Sequence, residues 1–318
     1  MKSGEFNKKV KNHLGEFSTK LNLGVTSIQE EKLKEFIIYN GEKYDYILSD
    51  KLCVGFNDNK YSEIVYFDTY RKEILELIKS EKIKLHNFQK HLNSSQSMAI
   101  NFFLPIKIEK NEKDMCEFIF GIKDIVSLKL EVSMNDSGGG ESQTEVDCLL
   151  TENKGIQHLF EIKYTENSFG KVKNESKYES KWFGIPNEKH NLNMTNTKVQ
   201  YDKVIELFNE DTVDYEFFLK NYQLVRNLYN TFFELKNNVI VKKENIGTMN
   251  CIISKRNDTQ YKEFIKFRKN IKIEYFNKIN LYYWEDVNQS ILKISEKYQN
   301  KKLKDHYERF QKIYLDFK

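Results

Sequence analysis

The sequence predicts a mixed α/β fold in which a central sheet is flanked by helices. Three observations carry that expectation. Apolar residues recur at helical spacing before residue 123 and again beyond residue 198. Between these regions, short segments switch to the two-residue alternation of strands. Turn-forming residues separate the strand segments closely enough for an antiparallel meander.

Residues 1–65 mix charged helical stretches with short strand-like runs and fit no single architecture. From Phe67 the spacing is helical, with Ile74, Leu75, Leu77 and Ile78 set between charged residues. A second helix starts after Asn93-Ser94-Ser95, whose short polar side chains can cap free N–H groups. It runs through Gln96, Met98, Ala99, Phe102 and Phe103. Pro105, which has no N–H to donate, is expected to end it. A short helix over 115–122 precedes the change of period. In 127–133, Leu128, Leu130 and Val132 alternate with Lys129 and Glu131, which sets the apolar trio on one face of a strand. The stretch Asn135-Asp136-Ser137-Gly138-Gly139-Gly140 reads as a turn or loop. Strands over 144–150 and 158–164 follow, joined through Glu152-Asn153-Lys154-Gly155. Past the polar, lysine-rich 168–197, helices are expected over 199–208 and 215–235. Strands at 239–241 and 249–253, a helix over 261–267 and amphipathic helix through most of 286–317 complete the chain.

The composition is that of an ordinary globular protein: 39% hydrophobic, 31% charged and 14% aromatic, with 23 Phe and 19 Tyr as core material. A chain of 318 residues with that content can bury a sizeable core, and wholesale disorder is excluded. The formal net charge of +4 is mildly basic and does not single out a nucleic-acid binder, because phosphate binding needs a local concentration of cations. Cys53, Cys116, Cys148 and Cys251 are far apart and match no zinc or redox spacing, so free thiols in a reducing compartment are expected. No apolar run approaches the ~20 residues of a bilayer span. The first residues lack the apolar stretch of a signal peptide, which points to a cytoplasmic protein.

The informative segment is Thr144-Glu145-Val146-Asp147-Cys148-Leu149-Leu150, a turn, then His158-Leu159-Phe160-Glu161-Ile162-Lys163-Tyr164. Side chains alternate across a strand, so Glu145 and Asp147 share one face, and Glu161 and Lys163 share one face. If the strands pair through the turn, Asp147, Glu161 and Lys163 converge. Val146, Cys148, Phe160 and Ile162 then face a helix layer. Phosphodiester hydrolysis needs a hard cation held by carboxylate oxygens with positions left open for water and phosphate. Asp147 and Glu161 supply such a donor pair, and a lysine nearby can orient or deprotonate water or stabilise charge on phosphorus. Two acids buried together without a cation are costly, which favours a metal. The bland alternative is a solvated polar face in a chain rich in Glu and Lys.

The pattern Asp147, a short loop and Glu161-Ile162-Lys163 resembles the PD-(D/E)xK nuclease superfamily, with Val146 where the signature has proline. Three further stretches resemble one bacterial branch of that superfamily. They are His91-Leu92-Asn93-Ser94-Ser95-Gln96 leading into Asn101-Phe102-Phe103, Lys163-Tyr164-Thr165-Glu166 with Ser168-Phe169-Gly170, and Tyr222-Gln223-Leu224-Val225-Arg226-Asn227. The resemblance implies a restriction-endonuclease-like core, a mixed sheet flanked by helices, over 86–285. An α+β extension at 1–85 and a C-terminal helix at 286–318 would adjoin it. It also implies Mg²⁺-dependent cleavage of DNA in restriction or another defence against foreign DNA, with Mn²⁺ as a substitute ion. Asp147 and Glu161 would bind the metal, and Lys163 would be the catalytic lysine.

An acid from an earlier element often completes such a site. Glu131 is one candidate, though it equally fits an exposed strand position; Gln96 and Glu145 are further supporting residues. Gln223 and Arg226 share a helix face and can reach a phosphate or brace the acids; an Arg capping its own helix is the equal alternative. His91 and His158 read as structural. Lys171, Lys173, Lys177 and Lys181, with Tyr178 and Trp182, follow the second strand directly and are candidates for binding nucleic acid. Glu175 and Glu179 offset that charge, so a merely solvated helix stays open. The expected partner is DNA, and a homodimer would suit cleavage of both strands. Two other readings remain: a non-catalytic module that binds nucleic acid or protein, and an RNA-cleaving nuclease.

Overall fold

The computed structural model describes residues 3–20, 37–39, 42–44, 46–47, 54–56, 59–61, 65–86, 91–134, 144–184, 194–210, 212–236 and 239–317. Helix α1 (Ser3–Lys20) is followed by two short antiparallel hairpins, β1 (Ile37–Tyr39) with β2 (Glu42–Tyr44) and β3 (Val54–Phe56) with β4 (Asn59–Tyr61). Helices α2 (Arg71–Ser80), α3 (Ser95–Ile108) and α4 (Glu112–Phe120) lead into the sheet strands β5 (Ile125–Met134), β6 (Thr144–Glu152) and β7 (Gln157–Ile162). Next come α5 (Ser176–Phe183), α6 (Met194–Ile205), α7 (Tyr215–Lys220) and α8 (Tyr222–Phe232). A hairpin of β8 (Phe233–Lys236) and β9 (Val239–Lys242) precedes β10 (Met249–Ile253), α9 (Asp258–Lys269) and β11 (Ile279–Tyr283). Helices α10 (Trp284–Lys297) and α11 (Lys301–Phe310) close the chain with a π-helical turn, Gln311–Leu315.

The central sheet has five strands in the order β11-β10-β7-β6-β5. The β5-β6-β7 meander is antiparallel, as its short connections require, whereas β10 runs parallel to both β7 and β11. Parallel neighbours need crossovers, and helices supply them: α5 to α8 between β7 and β10, α9 between β10 and β11. One face of the sheet carries Leu128, Leu130, Cys148, Leu150, Phe160, Ile162 and Ile252. These pack in one core with residues of α1 to α4, α10, α11 and the last turn. The other face carries Met249, Cys251, Ile253 and Ile279 against α6 to α9. This mixed sheet between helical layers is the architecture that the resemblance implied.

Several elements differ from the sequence reading, each for a local reason. Helix α3 does not stop at Pro105 but runs to Ile108. Proline deprives the Asn101 carbonyl of its usual helical donor, and His306 on α11 takes over, its Nε2 lying 2.7 Å from that oxygen. Helix α4 ends earlier than expected because Gly121, at φ +70°, forms a left-handed cap. The helix expected over 215–235 is two helices and a strand. At Asn221 the backbone leaves the helical region (φ −120°, ψ 24°), and its Nδ2 donates to the Phe217 carbonyl. Val239–Lys242 pairs with β8 rather than with the central sheet. Edge strand β11 was not anticipated.

The expected single apolar face of β5 is also broken. Glu131 has a left-handed φ of +51° in mid-strand. Leu128 and Leu130 therefore join the large core, while Val132 and Met134 pack with Val146, Leu149 and Leu159 on the other side. Val146 accordingly does not share the helix-packed face with Cys148. The glycine stretch 135–140 lies outside the described residues. Among the described residues no helix is long and apolar enough to cross a membrane.

Candidate active site

The paired strands set the acids side by side. The β6–β7 ladder begins at Cys148↔Phe160, and one further step in that register puts Asp147 across from Glu161. On the other flank, Leu130↔Cys148 and Val132↔Val146 bracket Glu131 and Asp147, and Glu161 is partnered by Cys251 on β10. Glu131, Asp147, Glu161 and Cys251 thus form one row across four adjacent strands. Where the β6–β7 ladder opens, the Asp147 carboxylate replaces a backbone acceptor. Its Oδ2 takes the Ile162 N–H at 2.6 Å.

Glu161 and Lys163 are 1% and 8% exposed, and Lys163 Nζ lies 2.5 Å from Glu161 Oε1. Beyond that ion pair, Oε1 accepts no hydrogen bond. Oε2 takes one from Asn227 Nδ2 on α8 at 2.7 Å. Lys163 is fixed through its own backbone: its N–H donates to the Ile252 carbonyl at 3.0 Å, and its carbonyl accepts from Trp284 Nε1 at 3.1 Å.

Charge and burial are strongly coupled here. Burial, reinforced by the neighbouring Glu161 and Glu131 charges and opposed by Lys163, holds the Asp147 carboxyl well above the ordinary range. Burial alone would lower the Lys163 ammonium, but the carboxylates of Glu161, Asp147 and Glu166 outweigh it and raise the group. The Cys251 thiol is pushed up by burial and by Glu161, so it remains protonated. Carboxyl groups thus outnumber the ammonium, and Glu161 Oε1 has no hydrogen bond beyond its ion pair with Lys163. That donor set fits a divalent metal ion bound by Asp147 and Glu161.

Of the supporting residues, Gln96 is 4% exposed and clamps the segment after α2. Its Oε1 accepts from the His86 N–H at 2.8 Å and its Nε2 donates to the Lys84 carbonyl at 2.9 Å. Glu131 faces His86, with Oε2 3.2 Å from Nε2, and Glu145 is paired with Lys84 at 2.6 Å. The Arg226 guanidinium lies over the Tyr222 ring. Gln223 packs on Gly170, so close that a Cβ built on that glycine would sit 2.8 Å from Gln223 Cβ. The brace on the acids in this stretch comes from Asn227, which no spacing in the sequence marks. It lies four residues beyond Gln223, on the same side of α8.

His158 is held by Thr248 and Glu152 at 2.9 and 2.8 Å, a structural role. His91 bridges to Ile47. Lys171 is paired with Glu263 at 2.9 Å and Lys173 is exposed. Lys177 and Lys181 stand on α5, with side chains outside the described residues.

A family model described as "Restriction Endonuclease associating with ARP" matches residues 36–315. No curated protein and no solved structure matches the chain.

Proposed function

Because the chain belongs to the family of restriction endonucleases associating with ARP, we propose that it is a metal-dependent deoxyribonuclease whose centre is Asp147, Glu161 and Lys163. The observation that carries this reading is the buried Lys163–Glu161 pair at 2.5 Å, with Asp147 next in register across the ladder. Asp147 and Glu161 would hold the ion, for which Mg²⁺ is the proposed identity. When bound, such an ion supplies positive charge to a phosphate oxygen and acidifies water.

The chain's own residues supply the remainder. Asn227 fixes the Glu161 carboxylate through Oε2 and leaves Oε1 turned to the lysine. The Lys163 ammonium, kept charged by three carboxylates, is placed to orient the attacking water and to stabilise negative charge on the phosphate. The ladder opening at Asp147 frees its carboxylate from strand packing while the Ile162 N–H keeps it aimed. The proposed role is cleavage of foreign DNA in restriction or a related defence.

The test incubates duplex DNA, single-stranded DNA and RNA with the protein and Mg²⁺, with EDTA as control. Cleavage of DNA that EDTA abolishes is expected. Lys163→Ala should fold normally and cut ~10²–10⁴-fold more slowly. Cleavage of RNA alone would reject the DNA assignment. No cleavage of any substrate would leave a binding module.

A further inference from the structure

We propose that His86, Glu131 and Glu145 form a second divalent-cation site beside the first, suited to a first-row transition ion. This goes beyond the nuclease reading, because it concerns bound metal rather than reaction. Three donor atoms, one imidazole nitrogen and two carboxylate oxygens, lie within 4.8 Å of one another. They come from three separate elements: the segment after α2, β5 and β6. Bonds of ~2.0–2.2 Å let an ion span at most about 4.4 Å between ligands. His86 Nε2 and Glu131 Oε2 already stand 3.2 Å apart, and the side chain of His86, 46% exposed, has room to adjust towards the third donor.

The site is built rather than incidental. Glu131 has a side chain only 4% exposed, and it sits on a left-handed backbone that turns it out of the strand's alternation. The buried Gln96 amide accepts from the His86 N–H and donates to the Lys84 carbonyl two residues earlier, which fixes the segment that presents the ring. Without metal, nitrogen groups occupy the carboxylates. His86 Nε2 stands against Glu131, and Lys84 Nζ is 2.6 Å from Glu145. An arriving ion displaces the Lys84 ammonium into solvent, and the imidazole binds as a neutral ligand. One nitrogen with two carboxylates favours manganese, iron or zinc over calcium.

The probe is Mn²⁺ added to the full chain carrying Glu161→Gln, which cripples the Asp147–Glu161 site. Free Mn²⁺ is followed by its electron paramagnetic resonance signal. This protein should still hold an ion. Adding His86→Gln should weaken that binding by ~10-fold or more. Adding Lys84→Met instead should tighten it, because the competing ammonium is gone, and a misfolded protein cannot mimic a gain. If Glu161→Gln does not fold, the same comparison on the native chain should show His86→Gln losing one of two ions. A Glu161→Gln protein that folds but holds no Mn²⁺, or binding indifferent to His86→Gln, would overturn the proposal. Failure of the native chain to cut DNA would not touch it, since the readout is bound metal.

Discussion

At the scale of single residues, the acids and the lysine were legible because their arrangement is local. A hairpin with alternating side chains brings Asp147 and Glu161 together whatever the rest of the chain does. Asn227 was not legible, although it lies in a stretch that sequence resemblance marked. Which face of α8 meets β7 is set by packing between distant elements, and no spacing rule encodes it. Its role is open to measurement. Asn227→Leu removes the donor to Glu161 Oε2 and leaves a buried acceptor unpaired. We expect a stability loss of about 1–3 kcal/mol by denaturant titration. Mn²⁺ affinity should also fall ~10- to 100-fold, as losses of ligand-orienting groups do. An unchanged metal affinity in a folded protein would remove Asn227 from the site.

At the scale of elements, two joints carry consequences that the sequence pattern concealed. The first is α3 against α11. Pro105 marks a stop in the sequence pattern, but a helix can continue past proline when another group satisfies the carbonyl it strands, and His306 does so at Asn101. The imidazole is wholly buried, its Nδ1 accepts no hydrogen bond, and burial pushes its pKa from 6.5 down to about 4. The folded protein thus keeps this group neutral, while the unfolded chain protonates it below pH 6.5. Stability from this source is complete above pH 6.5, is lost as the pH falls towards 4, and amounts to about 3 kcal/mol. His306→Gln, which keeps a donor for Asn101, should flatten that part of the stability–pH curve in thermal melts.

The second joint is Gly170 against Gln223. It explains why two stretches far apart in sequence belong together: the left-handed glycine (φ +76°) lets the turn after β7 lie directly on α8. Gly170→Ala both strains that backbone and drives a methyl into Gln223. A loss of about 1–3 kcal/mol is expected, read as a lower denaturation midpoint. Because α8 also carries Asn227, the same substitution should loosen the hold on Glu161. A variant as stable as the native chain would show that the turn and the helix are not in firm contact.

At the scale of the whole molecule, the sheet's layered form was legible from the change of periodicity, but its strand order was not. The meander followed from short turns, whereas β10 and β11 join by parallel crossovers, Met249 pairing with Leu159 ninety residues before it and with Ile279 thirty residues after it. β11, with its Ile-Asn-Leu-Tyr-Tyr alternation, carried a strand signal that the long amphipathic tail masked. That tail is integral to the core. Leu303, Tyr307, Phe310 and Tyr314 are each at most 1% exposed and pack with Phe67, Phe102 and Trp284. Removing residues 301–318 should therefore abolish cooperative unfolding rather than merely trim an appendage, as thermal melts of the truncated chain would show. A sharp, native-like transition would contradict this.

The left-handed Glu131 has one more consequence. A residue with a Cβ spends of order 1–2 kcal/mol in that conformation, and glycine spends almost none. Glu131→Gly should thus melt at a higher temperature while losing a carboxylate from the row. A laboratory selection that rewarded heat resistance alone would rewrite this position early, and its survivors would be hardier proteins with poorer hold on metal.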